Sequence, residues 1–297
     1  MALASLGEKF AALSAKEQAL LPGPDDVRFY REQGYWISPP LFSSDEIDEA
    51  LFGTERFYAG DYDFHLVDKL QTFSGWKPGD GDGLRINDYV ALRNRELSTV
   101  AMHPLIGAIA GKLCESGTIR LWHDQLIYKP GAGAGCAAGI GWHTDRAYWQ
   151  TCSSTEMLTA WIPLHDTDEE IGTLQVVSRS HSWTGETAMR GFHDQTSQSL
   201  ATYCPEHDGP LTTIPIILQK GQVSFHHCRT IHGSGPNRTD RPRQTISVHL
   251  QDEGNQYRAA TAPNGEPSWH RNDILCRKRD GLPDYSDPDF CPVLWPA

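Results

Sequence analysis

The first 117 residues of this 297-residue chain place apolar side chains at helical spacing, interrupted by Pro and Gly. The pattern predicts a helix over residues 2–20 that ends before Pro22, and a second that begins at Asp25 and stops at Gly34. A third helix begins near Ser43, where acidic residues occupy the first turn. The remaining predictions are a short strand at 35–37, an irregular segment at 52–82, and a helical pair at 97–116 that Pro104 divides.

From residue 118 the pattern changes to short runs typical of β-strands, separated by Gly, Pro and Asp. Short strands that do not alternate with helices predict a mainly β fold with flanking helices, a double-stranded β-helix of the jelly-roll or cupin-like type. We expect one domain over residues 1–297, with a helical part at 1–117, a jelly-roll core at 118–251 and a C-terminal segment at 252–297 that wraps the barrel. The runs occupy residues 118–128, 139–145, 156–164, 172–177, 212–217, 222–226 and 243–251.

Composition narrows the classes of partner. A net charge of −12 argues against a nucleic-acid surface, which needs a basic stripe. The sequence contains no run of about 18 apolar residues and opens without the basic and apolar blocks of a secretory signal, so no membrane association is expected. Seven cysteines without a C-x-x-C pair favour reduced thiols and a cytoplasmic location. We therefore expect a small-molecule partner.

A histidine and a carboxylate stand two residues apart at His143 and Asp145. On a strand, positions i and i+2 face the same side, so both side chains can point at one metal ion. A second histidine would complete a set of two His and one carboxylate, which suits non-haem Fe(II) oxygen chemistry. The chain has 13 histidines, so a surface His beside a surface Asp is the alternative reading.

The segment that begins at His232 supplies the missing histidine and a cation. Its Gly, Pro and Asn residues predict a tight turn, and Arg243, eleven residues on, opens the next β run on a neighbouring strand. A guanidinium binds a carboxylate through two hydrogen bonds, so a co-substrate that chelates the metal and ends in a carboxylate fits: 2-oxoglutarate. A surface ion pair with Asp240 is the alternative for Arg243. His226, His227 and His249 compete with His232 as ligands.

Several stretches together resemble the phytanoyl-CoA dioxygenase family of Fe(II)/2-oxoglutarate oxygenases. They cover most of the chain, and one departs from the family pattern because Val177-Ser178-Arg179 stands where Pro-Gly is usual. Asp145 occupies a position where related halogenases carry Gly or Ala, which favours a hydroxylase, an oxidative cyclase or a desaturase. The matching stretches are residues 29–37, 41–47, 142–145, 159–164, 171–181 and 232–243.

The resemblance implies roles for individual residues. His143, Asp145 and His232 would hold Fe(II), with O2 as the oxidant, and Arg243 and Ser234 would bind the distal carboxylate of 2-oxoglutarate. Trp161 and Gln125 would also contact the co-substrate; the alternatives are an ordinary core aromatic and an ordinary inward polar residue. The residues expected to border the substrate are Tyr89, Arg146, Tyr148 and Trp149.

The function expected from this resemblance is oxidation of a small-molecule metabolite in secondary-metabolite biosynthesis, with release of succinate and CO2. The oxidation would be a hydroxylation, or an oxidative cyclisation or desaturation. Two alternatives remain, namely a cupin-like metalloenzyme that does not use 2-oxoglutarate and a non-catalytic small-molecule-binding protein on the same barrel.

Overall fold

The computed structural model describes residues 13–66, 76–134, 139–183, 189–194, 200–204, 211–262 and 265–295. The helix predicted over residues 2–20 lies partly outside these ranges. Within them, the short helix α1 (Ala15–Gln18) begins at Ser14, whose side chain accepts a hydrogen bond from the Glu17 N–H.

Two N-terminal helices lead the chain into the barrel. α2 (Pro24–Gln33) ends at Gly34, whose φ of 81° turns the chain directly into the predicted strand β1 (Tyr35–Ile37). α3 (Ser44–Tyr58) is capped by Ser43 as predicted, but it continues to Tyr58 where an irregular segment was predicted. That prediction was wrong because the buried face of α3, which includes Ile47, Ala50 and Phe57, recurs at helical spacing up to Phe57.

Pro104 divides the next helical stretch, as predicted. α4 (Arg95–Ala101) ends before it, and α5 (Pro104–Cys114) carries it at the first position, where its missing N–H costs nothing. Arg95–Cys114 is long and apolar enough by composition to cross a membrane, but 67% of its most apolar window is buried inside the protein. It is the core helical layer of the fold.

Among the described residues, two antiparallel sheets form the jelly roll, and all seven predicted β runs contain a strand. The larger sheet has the order β1-β8-β5-β10-β3-β13, with β2 also paired to β3, and the smaller has the order β4-β9-β6-β7. The strands after β1 are β2 (Arg85–Asp88), β3 (Ile119–Lys129), β4 (Ile140–His143), β5 (Leu158–Pro163), β6 (Leu174–Val177), β7 (Thr213–Pro215), β8 (Ser224–His227), β9 (His232–Ser234), β10 (Arg243–Asp252), β11 (Lys278–Arg279), β12 (Leu282–Pro283) and β13 (Val293–Trp295).

One segment predicted as a turn forms a strand, and one predicted strand placement was wrong. Residues 232–234 were expected in a tight turn but form β9, which pairs with both β4 and β6. Arg243 was expected on the strand next to His232 but lies on β10 in the larger sheet, facing β9 across the barrel. The two-residue period in the sequence predicts where strands form. Which sheet each strand joins depends on pairing between residues far apart in the sequence.

Successive side chains along the strands of the larger sheet point to opposite faces, and the two faces contribute to different hydrophobic cores. Apolar residues of β5 such as Leu158, Ala160 and Ile162 pack outward against the helices in the main hydrophobic core. Trp161 belongs to a second, smaller core with Leu174 of β6, between the two sheets. Polar side chains on the inward positions therefore face the barrel interior, where the candidate site lies.

The C-terminal segment adds α7 (Asn272–Leu275) and places β13 against β3. The short helix α6 (Leu200–Tyr203) lies between β6 and β7 in the chain.

Candidate metal centre

Three buried side chains converge at one mouth of the barrel. His143 ends β4 and His232 begins β9, and the two are register partners. Thr144 keeps an extended backbone (φ −117°, ψ 142°), so Asp145 returns to the same side as His143 although β4 has ended. The Nε2 atoms of His143 and His232 lie 3.9 and 3.6 Å from Asp145 Oδ1. One ligand atom from each residue lies within 4.8 Å of the others, a spacing that suits a shared metal ion.

Backbone carbonyls fix which nitrogen of each histidine faces the site. His143 Nδ1 lies 2.8 Å from the Gly141 carbonyl oxygen, and His232 Nδ1 lies 2.9 Å from that of Thr230. A carbonyl only accepts, so both Nδ1 atoms carry the proton and both Nε2 lone pairs point inward. This is the arrangement found around metal-binding imidazoles.

The charge states also suit a divalent cation. Burial lowers the pKa of both His143 and His232, which keeps the rings neutral. Burial alone would raise the pKa of Asp145, but the hydrogen-bonding surroundings of the carboxylate, which include the His226 side chain, hold it well below its usual range, so the carboxylate stays ionised. Two neutral imidazoles and one carboxylate form the donor set typical of non-haem Fe(II).

The competing histidines take other positions. His226 Nε2 and His249 Nδ1 approach the second oxygen of Asp145, at 3.4 and 3.9 Å, and do not join the three-ligand group. His227 packs near His181 on the other side of β8, with ring centroids 5.3 Å apart. The sequence alone had left His226, His227 and His249 open as alternatives to His232.

A narrow pocket extends from the three ligands to Arg243. Arg243 is 1% exposed; its Nη1 donates to the Gly172 carbonyl oxygen at 2.7 Å, while its Nε has no partner within the described residues. Burial lowers the pKa of Arg243 to about 9, which leaves the guanidinium charged at neutral pH. Trp161 lies with its ring centroid 5.8 Å from the guanidinium carbon, and Gln125 and Ser234 also line the pocket. A buried cation with an unpartnered donor fits an anionic ligand.

Lys129 was missed by the sequence reasoning. It is buried opposite Arg243 in the β3–β10 register, and its Nζ donates to Ser234 Oγ at 2.7 Å and to the carbonyls of Ser234 and Gly235. Burial and then Arg243 lower its pKa, yet three acceptors match the three hydrogens of an ammonium group. The only sequence signal was a lysine on an inward position of a central strand.

A wider cavity of about 750 Å³ opens on the other side of the ligands and shares His143, Asp145 and Gln125 with the narrow pocket. Gln125 Nε2 donates to Asp88 Oδ1 at 2.9 Å, so its amide group lies between the two spaces. Asp88 also pairs with Arg271. The aromatic side chains that line this cavity are Trp76, Tyr148, Trp149, Phe192 and Trp269.

Comparison with known proteins decides the family. The model of the phytanoyl-CoA dioxygenase family matches residues 30–245, which is most of the chain. The chain belongs to the phytanoyl-CoA dioxygenase family. Members of this family are Fe(II)- and 2-oxoglutarate-dependent dioxygenases, so the reaction class and the cofactors expected from the sequence are confirmed.

Individual relatives support this assignment. The chain is 25% identical to peroxisomal phytanoyl-CoA dioxygenase of Rattus norvegicus over 264 residues, covering 86% of this chain and 76% of the rat protein. Among solved structures it is similar to the non-haem α-ketoglutarate-dependent carbocyclase SnoK from nogalamycin biosynthesis, with a TM-score of 0.69, 23% identity, and coverage of 92% of this chain and 96% of SnoK. The epimerase SnoN, solved with Fe3+, α-ketoglutarate and nogalamycin RO, gives a TM-score of 0.65, 24% identity, and coverage of 94% and 99%. These similarities confirm the predicted jelly-roll fold.

Two residues expected to border the substrate do not line the wide cavity. Tyr89 is fully buried, and its hydroxyl donates to Asn272 Oδ1 at 2.7 Å. Arg146 donates to the carbonyls of Trp149 and Cys152, because the one-turn helix at Asp145–Ala147 redirects the chain after the metal motif. Tyr148 and Trp149 do line it.

Proposed function

We propose that this chain uses His143, Asp145 and His232 to hold Fe(II) and couples the oxidation of 2-oxoglutarate to the oxidation of a small-molecule metabolite. The observation that carries this proposal is Arg243, a buried guanidinium at the closed end of a pocket whose other end is the three-ligand group. The bound iron would supply activation of O2, with 2-oxoglutarate leaving as succinate and CO2 and the substrate gaining an oxygen or losing hydrogen.

The residues of the narrow pocket would bind and orient the co-substrate. Arg243 and Ser234 would hold its distal carboxylate, since Ser234 Oγ accepts from Lys129 and keeps its own proton to donate. Trp161 and Leu174 would exclude water from the region between this carboxylate and the ligands. Gln125, on the inward face of β3, would contact the co-substrate where the two spaces meet.

The wide cavity would receive the substrate, with Tyr148 and Trp149 on its wall. A volume of about 750 Å³ is in the range of pockets for drug-sized molecules, and aromatic walls favour stacking on rings. These features support a metabolite of a biosynthetic pathway as substrate, in line with the nogalamycin-pathway enzymes of similar fold.

We place the reaction in the cytoplasm because six cysteines of the described residues are free thiols. Strands from residues 1–117, 118–251 and 252–297 share the larger sheet, which supports a single domain over residues 1–297.

The experiment is a metabolite screen read by succinate formation in the presence of Fe(II), 2-oxoglutarate and O2. We expect at least one ring-bearing metabolite to raise succinate output above the uncoupled rate and to be oxidised itself. His143→Ala should abolish both signals, whereas His65→Ala, at an exposed position, should leave them unchanged. Full succinate output by His143→Ala would refute the proposal.

A further inference from the structure

The two oxygens of Asp145 have different surroundings. Oδ1 faces His143 Nε2 and His232 Nε2, at 3.9 and 3.6 Å, and so belongs to the metal-ligand group. Oδ2 points to the larger sheet, where it accepts a hydrogen bond of 2.6 Å from Thr159 Oγ1. The carboxylate is therefore fixed in one rotation about its Cβ–Cγ bond.

Thr159 occupies the centre of a row that crosses three adjacent strands. In the register of the larger sheet its partners are His226 on β8 and His249 on β10. All three side chains approach the same oxygen, Asp145 Oδ2, with Thr159 the nearest, His226 Nε2 at 3.4 Å and His249 Nδ1 at 3.9 Å. The sheet thus presents one continuous polar surface to the outer oxygen of the carboxylate.

The direction of the hydrogen bonds follows from the chemistry of the groups. An ionised carboxylate only accepts, so the single hydroxyl proton of Thr159 goes to Asp145 Oδ2. Thr159 Oγ1 also lies 2.7 Å from His249 Nδ1, and it must accept there, which fixes the His249 proton on Nδ1. Donation from His249 polarises the hydroxyl and strengthens its bond to the carboxylate.

We propose that Thr159, supported by His249, is a positioning residue that restricts Asp145 to binding the metal through Oδ1 alone. This inference rests on the ligand set of the proposed function. Two histidines and one carboxylate oxygen leave open positions on an octahedral ion, which a chelating co-substrate and O2 require. A carboxylate free to rotate could bind through both oxygens and compete for one of those positions.

The test uses Co(II) alone as the probe, followed by 2-oxoglutarate, without turnover. The visible absorption of Co(II) reports its coordination number, and its change on addition of 2-oxoglutarate gives the Kd. We expect Thr159→Val to alter the absorption before 2-oxoglutarate is added and to raise the Kd about tenfold or more, since partners that orient metal ligands have effects of 10–100-fold. Thr159→Ser, which keeps the hydroxyl, should match the wild type.

A second variant guards against misfolding. If Thr159→Val does not fold, Thr159→Ala removes the same hydroxyl with a smaller side chain and should give the same two changes. An unaltered absorption together with a Kd within threefold of wild type, in either folded variant, would overturn the role of Thr159. Wild-type protein that fails to bind Co(II), or binds it equally after His143→Ala, would instead refute the ligand set itself.

Discussion

His143 and His232 stand directly opposite one another in the antiparallel pair β4–β9, with ring centroids 4.1 Å apart. Each is held by a backbone carbonyl two residues earlier in its own chain segment, at Gly141 and Thr230. The site is therefore organised by backbone hydrogen bonds before a metal binds. Because neither ring must rotate to present Nε2, the ordering cost of binding is small.

Metal binding should stabilise the folded protein through this pair. A metal at about 100 times its Kd stabilises the fold by about 2.7 kcal/mol. We expect Co(II) to raise the melting temperature of the wild type, and a chelator to reverse the shift. His232→Ala should show no shift, while His65→Ala should behave as wild type. An equal shift in His232→Ala would place the metal elsewhere.

Arg243→Met should weaken 2-oxoglutarate binding without affecting the metal. The substitution removes a buried cation from a pocket that extends to the metal ligands. We expect it to cost about 2 kcal/mol or more of binding free energy, which raises the Kd for 2-oxoglutarate ~30-fold. Isothermal titration of the Co(II)-loaded protein with 2-oxoglutarate measures it. Arg243→Lys keeps a positive charge and should lose less. Unchanged affinity in Arg243→Met would show that another residue holds the distal carboxylate of 2-oxoglutarate.

Lys129→Met should reduce both stability and co-substrate affinity. The substitution leaves three acceptors of Ser234 and Gly235 without their donor, which lowers the free energy of unfolding by about 2 kcal/mol or more. It also removes the hydrogen bond that orients the Ser234 hydroxyl. Urea unfolding and the 2-oxoglutarate Kd provide the two measurements. Lys112→Met, at an exposed position of α5, is the matched control. A loss of stability with unchanged Kd would make Lys129 purely structural.

Acid should destabilise the metal-free protein in part through His227. Burial, and then His181 and Arg229, lower the pKa of this ring to about 3, and its Nδ1 accepts from the Arg229 N–H at 3.1 Å. A depressed histidine pKa means that the unfolded chain binds the proton more tightly, so stability is lost as pH falls from about 6.5 towards 3. Between pH 7 and pH 5 this one group accounts for about 2 kcal/mol.

His227→Gln therefore tests the contribution directly. Urea unfolding at pH 7 and pH 5 should show a loss of stability on acidification that is smaller by about 2 kcal/mol in His227→Gln than in wild type. His65→Gln should retain the wild-type loss. If both variants lose the same free energy of unfolding, His227 does not titrate as its burial requires.

The sequence carried enough to predict eight of the strands and the family, because strand periodicity and the motif around His143 are local signals. The pairing of β9 with β4, which brings His232 opposite His143, is a long-range contact. The segment that forms β9 was predicted as a turn. Three residues, 232–234, are too few to show a period of two. The extension of α3 to Tyr58 was missed because Gly53 and the surrounding aromatics are typical of loops.

The supporting residues of the site were harder to predict. Thr159 and Lys129 are polar side chains on inward strand positions. Only the register of β5 with β8 and β10 shows what Thr159 contacts, and only the approach of β3 to β9 shows what Lys129 contacts. Arg146 illustrates the opposite error, since proximity to the motif suggested a role at the cavity. The turn at Asp145–Ala147 aims it at backbone carbonyls instead.

The central claim is that His143, Asp145 and His232 share one Fe(II), with 2-oxoglutarate held between it and Arg243. An anaerobic titration with Fe(II) and then 2-oxoglutarate, read by visible charge-transfer absorption, tests it most directly. The account predicts a band that requires both components, disappears in His232→Ala, and needs more 2-oxoglutarate in Arg243→Met. A band of full intensity in His232→Ala, or none in the wild type, would contradict it.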